Sequence, residues 1–394
     1  MFVVALLSLL VVAMATTTIR DLPVSEQEHV DAFEALRVAH ARTYAPHSDE
    51  YATRFGVFKE NVQRIRKTVR EKRRERAKKM IFFFFDIFRR NPFSLSKPPP
   101  PWQSEVQKKA KFALNLFFDV SEEEFKSYRM KPFDVRDPAL KKRSTLQKGT
   151  VVHDCLGGGA QKKRDVESWR SERAELKAIA ALPTSFDWRN HKPAVVSPVK
   201  NQAQCGSCWA FSTMETLESA WAIAGKGLPI LAPQELVDCS TDCSTDPGSP
   251  QPVCDQGCDG GFPWAAVQSL IELGGADSEA SYPYQGVDGT CAFSKANVKA
   301  VPRNHTCISN AKQDGASATN AEMLLNLYHG QPLSICMDAS EWQFYDSGVF
   351  TGDGCSETQL DHAIQVTGWG EENGIFWGKT LYYNVRNSWS SVSA

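Results

Sequence analysis

The stretch from Asn201 to Ser212, Asn-Gln-Ala-Gln-Cys-Gly-Ser-Cys-Trp-Ala-Phe-Ser, combines a candidate nucleophile, a polar partner and a helix start. Downstream of Cys208, the residues Ala210, Met214, Leu217, Trp221 and Ala224 recur at intervals of four and three, the apolar stripe of a buried amphipathic helix that Gly225 stops. Ser207 is placed to cap that helix, so Cys208 falls in its first turn, where free backbone N–H groups and the helix dipole favour a negative charge. A thiolate is such a charge. A helix N-terminus with a histidinium partner lowers a thiol's pKa, and the thiolate is the nucleophile of acyl transfer.

The pentapeptide Cys205-Gly206-Ser207-Cys208-Trp209, with Gln202 six residues before Cys208, resembles the active-site signature of papain and the cathepsins. The competing reading of a lone Cys is a buried structural thiol. The resemblance implies a reaction in which Cys208 attacks a peptide carbonyl, a histidine holds the proton, an asparagine orients it and two donors bind the oxyanion. His362, in Leu360-Asp361-His362-Ala363 ahead of Gly368-Trp369-Gly370, resembles that histidine. Asn387, in Arg386-Asn387-Ser388-Trp389, resembles the asparagine, with Trp389 shielding its hydrogen bond from water. Gln202 resembles the side-chain donor, beside the backbone N–H of Cys208, although Ala203 stands where the family usually has Gly. Cys258 to Trp264 resembles the stretch lining the substrate cleft. There Gly260 and Gly261 admit an extended peptide, while Phe262, Pro263, Cys336, Leu360 and Ala363 wall the S2 pocket, with Asp361 and Trp389 also counted at the cleft. The same resemblance pairs Cys205 with Cys258 and Cys239 with Cys291. Cys243 and Cys254 lie together in an insertion and are placed to pair, but spacing leaves connectivity open. Asn304-His305-Thr306 is a glycosylation sequon.

These residues need a scaffold, and 394 residues suffice for two or three domains. A net charge of -1 argues against nucleic acid as the main partner. Phe2 to Ala15 is an apolar run ending in Ala-Met-Ala, read as a signal peptide over 1–15 and too short to span a bilayer. With eleven cysteines it points to an oxidising compartment. Two packed helices are predicted between Ser25 and Lys67, with Val30, Phe33, Leu36 and Val38 facing inward in one and Phe55, Phe58, Val62 and Ile65 in the next. Glu50, Arg54, Phe58, Asn61 and Ile65 resemble the propeptide motif of cathepsin L-like proteases, with Val69 in place of its final Asn. Ala113-x-Asn115-x-Phe117-x-Asp119 resembles the second propeptide motif, with Ala113 replacing Gly, and Ser121 to Phe125 starts a helix.

The expected organisation is a signal peptide at 1–15, an inhibitory propeptide at 16–130, a linker and activation region at 131–181 that contains Gly157-Gly158-Gly159, and a peptidase domain at 182–394. Residues 68–110 form an atypical insertion. Its basic run Arg70 to Arg76, Phe82 to Phe85 and Pro98 to Pro101 do not read as a folded element, and its composition also fits translated intron. The resemblance implies an α+β, papain-like two-lobe fold, one lobe helical and the other rich in strands such as Ala363–Thr367 and Leu381–Val385, preceded by a mainly helical propeptide.

The expected function is a cysteine endopeptidase made as an inactive precursor and activated in acid, needing no cofactor or metal. Its expected partners are peptide and protein substrates, its own propeptide as inhibitor and cystatin-like inhibitors; a monomer is expected, in the lysosome, the vacuole or outside the cell. The rivals are a catalytically impaired homologue that binds peptides or proteases, and a zinc or redox module built on Cys205 and Cys208. The latter lacks a second ligand pair. The family continues beyond the Asn-Ser-Trp motif with a strand that Ser390 to Ala394 do not supply. A C-terminal truncation, an unpaired Cys355 and weak folding are therefore expected of the chain as written.

Overall fold

The computed structural model describes residues 22–90, 111–112, 115, 117–129, 152–153, 179–241, 243–244, 253–305, 320–352, 354–356, 359–374 and 378–390, with side chains left out at some positions, among them 72–90. The expected leader, Ala113, Gly157 to Gly159, Cys307 and residues 391–394 lie outside these. In chain order the helices are α1 (Glu26–Ala39), α2 (Asp49–Arg90), α3 (Glu122–Arg129), α4 (Cys208–Trp221), α5 (Pro233–Cys239), α6 (Pro263–Leu273) and α7 (Asn320–His329). The labelled strands are β1 (Lys111–Phe112), β2 (Phe186–Asp187), β3 (Leu333–Met337), β4 (Tyr345–Ser347), β5 (His362–Gly374) and β6 (Gly378–Arg386). The chain divides into two compact units. One is residues 1–125 with 341–353, and the other holds nearly all the rest.

In the first unit, α1 starts at a capping box: Ser25 Oγ accepts from the Glu28 N–H while Glu28 accepts from the Ser25 N–H at 2.8 Å. Its buried face is His29, Phe33 and Leu36, and Val38, expected inward, is 57% exposed. Helix α2 presents Phe58, Val62 and Ile65 to the same core, with Val69 packed at its edge. It continues to Arg90, so 68–90 is helical, contrary to the sequence reading. Glu, Lys, Arg and Ala fill Arg70 to Lys79, and these are strong helix formers whatever else they do. A second capping box opens α3, where Ser121 Oγ accepts from the Glu124 N–H at 3.1 Å and Glu124 accepts from Ser121 N at 3.1 Å. Arg54 pairs with Glu124 at 2.6 Å, and Arg42 with Asp119 at 2.7 Å.

The segment 341–353, from the C-terminal region expected to form the peptidase domain, belongs to this first unit. Phe344 is buried in the core formed by Phe33, Phe58 and Phe118, and β4 pairs antiparallel with β1. Gln343 accepts from Arg64 at 2.9 Å and donates to the Val120 carbonyl at 2.8 Å.

The second unit holds two cores. Trp209, Met214, Leu231, Leu236, Ala266 and Leu270 pack where α4, α5 and α6 meet. Trp188, Leu327, Leu333, Val366 and Trp369 pack between α7 and the sheet. Strand β5 is the centre of that sheet, antiparallel to β6 on one side and to β3 and then β2 on the other. The two runs read as strands from the sequence fall in β5 and β6. Val152–His153, expected in an open linker, pairs parallel with Cys243–Ser244 of the insertion, which in turn pairs with Val253–Cys254. The disulfides Cys205–Cys258, Cys239–Cys291 and Cys243–Cys254 are all formed. Asn304 is exposed, as a sequon requires.

Candidate active site

Helix α4 is buried on nearly every side from Cys208 to Glu215, so it is a central helix rather than an amphipathic one; Leu217 and Trp221 are partly buried and Ala224 is exposed. Its buried hydroxyls are satisfied internally: Thr213 donates to the Trp209 carbonyl at 2.8 Å and Ser219 to that of Glu215 at 3.1 Å. A left-handed Gly225 (φ 77°) lies in the π turn that follows α4. Ser207 occupies the N-cap position, but its hydroxyl does not cap the helix; it meets the Tyr284 hydroxyl at 2.6 Å instead.

The loop before α4 is tied down from two directions. The Cys205–Cys258 disulfide and the Gly206 N–H to Cys258 carbonyl bond at 2.9 Å hold it to the glycine-rich loop. Gln202 N–H donates to the Ser388 carbonyl at 2.8 Å, holding it to the segment after β6. Ser212, one turn beyond Cys208, donates to the Ile364 carbonyl at 2.8 Å and meets Ser334 Oγ at 2.6 Å, which fixes α4 against β5 and β3. The result sets the Cys208 sulfur, buried at 1% exposure, beside the start of β5, where the backbone N–H groups of Ala363 and Trp209 point at it.

Burial pushes the Cys208 thiol up to about 12, against those two amides. This corrects the expectation of a depressed pKa. The helix start acts in the expected direction, but taking the thiol out of water acts more strongly.

His362 opens β5 opposite Met337 of β3 and is fully buried. Its Nε2 lies 2.8 Å from Asn387 Oδ1, and the Trp389 ring covers the imidazole at 4.6 Å between centroids. Asn387 Oδ1 also accepts from the Ser388 N–H at 2.8 Å. Because the amide oxygen is thus engaged by a backbone donor, the imidazole nitrogen facing it carries a proton. The Gln202 amide is oriented by the same logic. Its Oε1 accepts from Ser388 Oγ at 2.6 Å and from the Trp389 indole N–H, which can only donate, at 3.1 Å. The amide NH2 therefore points the other way, where it donates to the Cys205 carbonyl at 3.0 Å.

Gly260 has a φ of 113°, and a Cβ built on Gly261 would lie 2.6 Å from the Trp209 ring and 2.7 Å from Asp255 Oδ1. Only glycine lets this loop lie flat on α4. Asp255 accepts from the Phe262 N–H at 2.7 Å and the Trp209 indole donates to the Gly257 carbonyl at 3.1 Å, so the loop is fixed along its length. Phe262 and Pro263 are buried at its end. Cys336 stands opposite Ala363 in the β3–β5 pairing, and burial pushes its thiol up. Leu360 and Asp361 are half-buried just before His362. Burial pushes Asp361 up to about 6, although its carboxylate accepts from the Ala339 N–H at 2.8 Å.

Residues 182–392 match the papain family cysteine protease profile. The chain belongs to the papain family of cysteine proteases. Cysteine proteinase 1 of Dictyostelium discoideum is 36% identical over 282 residues, covering 71% of this chain and 71% of that protein. Cathepsin L2 of Homo sapiens is 40% identical over 210 residues, covering 53% and 57%. The structure of digestive procathepsin L2 proteinase from Tenebrio molitor larval midgut superposes with a TM-score of 0.60 at 25% identity, covering 92% of this chain and 91% of that one. The papain-family chain is thus similar both to named cysteine proteinases and, in structure, to a procathepsin.

The sequence reading missed Ser388 and Tyr284 as partners of Gln202, and the buried Glu215–Arg386 pair, at 2.6 Å, beneath the site. Ser388 and Arg386 stood inside a quoted motif, but nothing local marked Tyr284 or Glu215. Among the described residues no group of three or more His, Cys, Asp or Glu side chains is arranged to hold a metal, and no helix is long and apolar enough to cross a membrane.

Proposed function

We propose that in this papain-family protease Cys208 is the nucleophile, His362 the proton carrier, Asn387 the residue that orients it, and Gln202 with the Cys208 N–H the oxyanion donors. The observation that carries this reading is the His362–Asn387 hydrogen bond at 2.8 Å, lying under Trp389 and next to the residue whose N–H meets the Cys208 sulfur. A thiol held near 12 does not ionise by itself at neutral or acid pH. Its proton passes to His362 as sulfur bonds to the scissile carbonyl carbon, and the developing oxyanion takes the Gln202 and Cys208 donors. The imidazolium then protonates the leaving amine, freeing it and leaving an acyl-enzyme. Water, losing a proton to His362, attacks the acyl carbon, and the departing sulfur regains a proton as the carboxylic acid leaves.

The substrate is an extended peptide lying along Gly260 and Gly261, with an apolar side chain in the pocket walled by Phe262, Pro263, Cys336, Leu360 and Ala363 and bordered by Asp361 and Trp389. Residues 16–130 act as the inhibitory propeptide, 131–181 as the linker removed on activation, and 182 onward as the enzyme. Support for the propeptide role comes from Phe344 and Gln343, residues of the enzyme region packed and hydrogen-bonded within the propeptide core. Cystatin-like proteins that enter the same cleft are further partners, and the enzyme works as a monomer. The apolar leader and the three disulfides support synthesis in the secretory pathway, for a lysosome, a vacuole or the exterior.

Replacing Cys208 tests the reading. Cys208→Ala in the full precursor, processed in trans, is expected to lose peptide-amide hydrolysis and labelling by a thiol-directed epoxide, while Cys243→Ala, though short of one disulfide, keeps the labelling. Hydrolysis at the wild-type rate by Cys208→Ala would remove the thiol from the mechanism.

A further inference from the structure

Tyr284 lies outside every motif read from the sequence, yet its hydroxyl joins Gln202, which carries one oxyanion donor, to Ser207, the residue just before the one that carries the other. A phenol has one proton. The Gln202 carbonyl, 2.8 Å away, can only accept, so Tyr284 donates there, and Ser207 Oγ, 2.6 Å away on the other side, must donate to the phenol oxygen. The result is a directed chain from Ser207 through Tyr284 to Gln202. At one end is the backbone of the residue whose amide is the side-chain donor. At the other is Ser207, whose carbonyl and the Cys208 N–H belong to one peptide unit.

Each end of this chain is fixed independently. The Ser207 carbonyl accepts from Ala210 N at 2.9 Å and Phe211 N at 3.1 Å, locking its peptide plane to α4. The Gln202 side chain is clamped by Ser388 and Trp389. Tyr284 is anchored by its own neighbours: its ring stands edge-on to Phe211 at 4.8 Å, its N–H donates to Glu279 at 2.8 Å, and Gln234 of α5 accepts from Gln285 N at 2.8 Å and Gly286 N at 3.2 Å. A hydroxyl held this firmly sets the distance between the Gln202 backbone and the start of α4. Oxyanion donors act only when held within a few tenths of an ångström of the developing charge.

We propose that Tyr284 is a positioning residue for acyl transfer, holding the Gln202 amide and the Cys208 N–H at one fixed separation through its hydroxyl. The proposal rests on the reading of Gln202 as an oxyanion donor.

The test uses the full precursor, activated in acid, with a fluorogenic peptide amide as substrate and alkylation of Cys208 by iodoacetamide measured beside it. Alkylation displaces iodide and develops no oxyanion, so it reports on the thiol and imidazole alone. Tyr284→Phe is expected to lower kcat about tenfold with KM and the alkylation rate each within about twofold of wild type. Gln202→Ala is expected to lower kcat by about 100-fold to 1000-fold, and adding Tyr284→Phe to it costs less than about threefold more, because the two act on one feature. If Tyr284→Phe does not fold, Ser207→Ala, which removes the other link of the chain, carries the same prediction with a loss of about threefold. Gln202→Ala at wild-type kcat would overturn the donor reading. Gln202→Ala showing its loss while Tyr284→Phe, or Ser207→Ala in its place, keeps full kcat would overturn the positioning role alone, as would a variant that slows alkylation as much as hydrolysis.

Discussion

At the scale of single residues the site rests on how far the environment of Cys208 opposes its ionisation. Burial holds the thiol proton up to about 12, and the helix-start amide of Trp209 and the Ala363 N–H only moderate that. A cysteine with a raised pKa stays neutral as pH climbs through the range where a free thiol ionises, so its reactivity there depends on a base within reach. With His362→Gln the rate of Cys208 alkylation between pH 6 and 8 is therefore expected to fall by about 100-fold or more, recovering only as pH approaches about 12. A variant whose alkylation profile still turns near neutrality would show that the thiol ionises without the imidazole. Cys208, His362, Asn387 and Gln202 were legible because each stands in a short string that carries its own context. Ser388 and Tyr284 were not legible as partners, since their contacts with Gln202 span 186 and 82 residues.

At the scale of elements, α4 and the loop from Gly257 to Phe262 define one face of the site by direct contact. Gly261→Ala drives a methyl group into the Trp209 ring and Asp255, and neither can withdraw without breaking the Trp209–Gly257 or Asp255–Phe262 hydrogen bond. Overpacking of this kind is expected to cost about 1–3 kcal/mol in denaturant unfolding and to reduce kcat/KM with it. Unchanged stability would mean that the loop has slack. Below α4, Arg386 at the end of β6 meets Glu215 at 2.6 Å, and Lys200 meets Glu218 at 2.5 Å, with all four side chains largely or wholly buried. Arg386→Met strands Glu215 as a charge at pH above about 7 and is expected there to destabilise the second unit by about 3–5 kcal/mol, whereas in acid Glu215 takes a proton and the loss is smaller. Unfolding curves superposable on wild type would contradict that. The elements themselves were partly legible. Alternating or apolar runs located β5 and β6, apolar spacing located α1 and a helix-start signal located α3, but periodicity misjudged α4, whose polar positions turn inward to buried partners such as Arg386 and Lys200. It also misjudged 68–90, whose first part, Arg70 to Lys79, is made of strong helix formers.

At the scale of the whole molecule the carboxyls of the two units are shifted mostly in opposite directions, the exception being Asp338 of the second unit, which burial raises but hydrogen bonds with Ser340 and Ser356 lower overall. In the second unit burial raises Glu215 to about 7, Glu235 to about 8 and Asp361 to about 6. A carboxyl whose folded pKa lies above its unfolded value binds more protons when folded, so the stability it contributes in acid is lost as pH rises from about 4 toward 8. In the first unit Glu34 is pulled up by burial but held lower overall by Arg37, and Glu28 is lowered by the backbone N–H groups of Ser25 and Val24, so their contributions are present above 4.5 and disappear as pH falls below it. Calorimetry of the Cys208→Ala chain is expected to show the second unit's transition moving down as pH is raised from 5 to 8 and the first unit's transition moving down as pH is lowered below about 4.5. Shifts of the opposite sign would remove the electrostatic basis for activation in acid. The central claim, a covalent acyl-enzyme on one cysteine, is open to a direct measurement. Mass spectrometry of the acid-activated enzyme, quenched during turnover of a slowly deacylating peptide ester, is predicted to find one acyl group, carried by the peptide containing Cys208. An acyl group on any other residue, or full turnover with no acylated enzyme under conditions where deacylation limits the rate, would contradict the account.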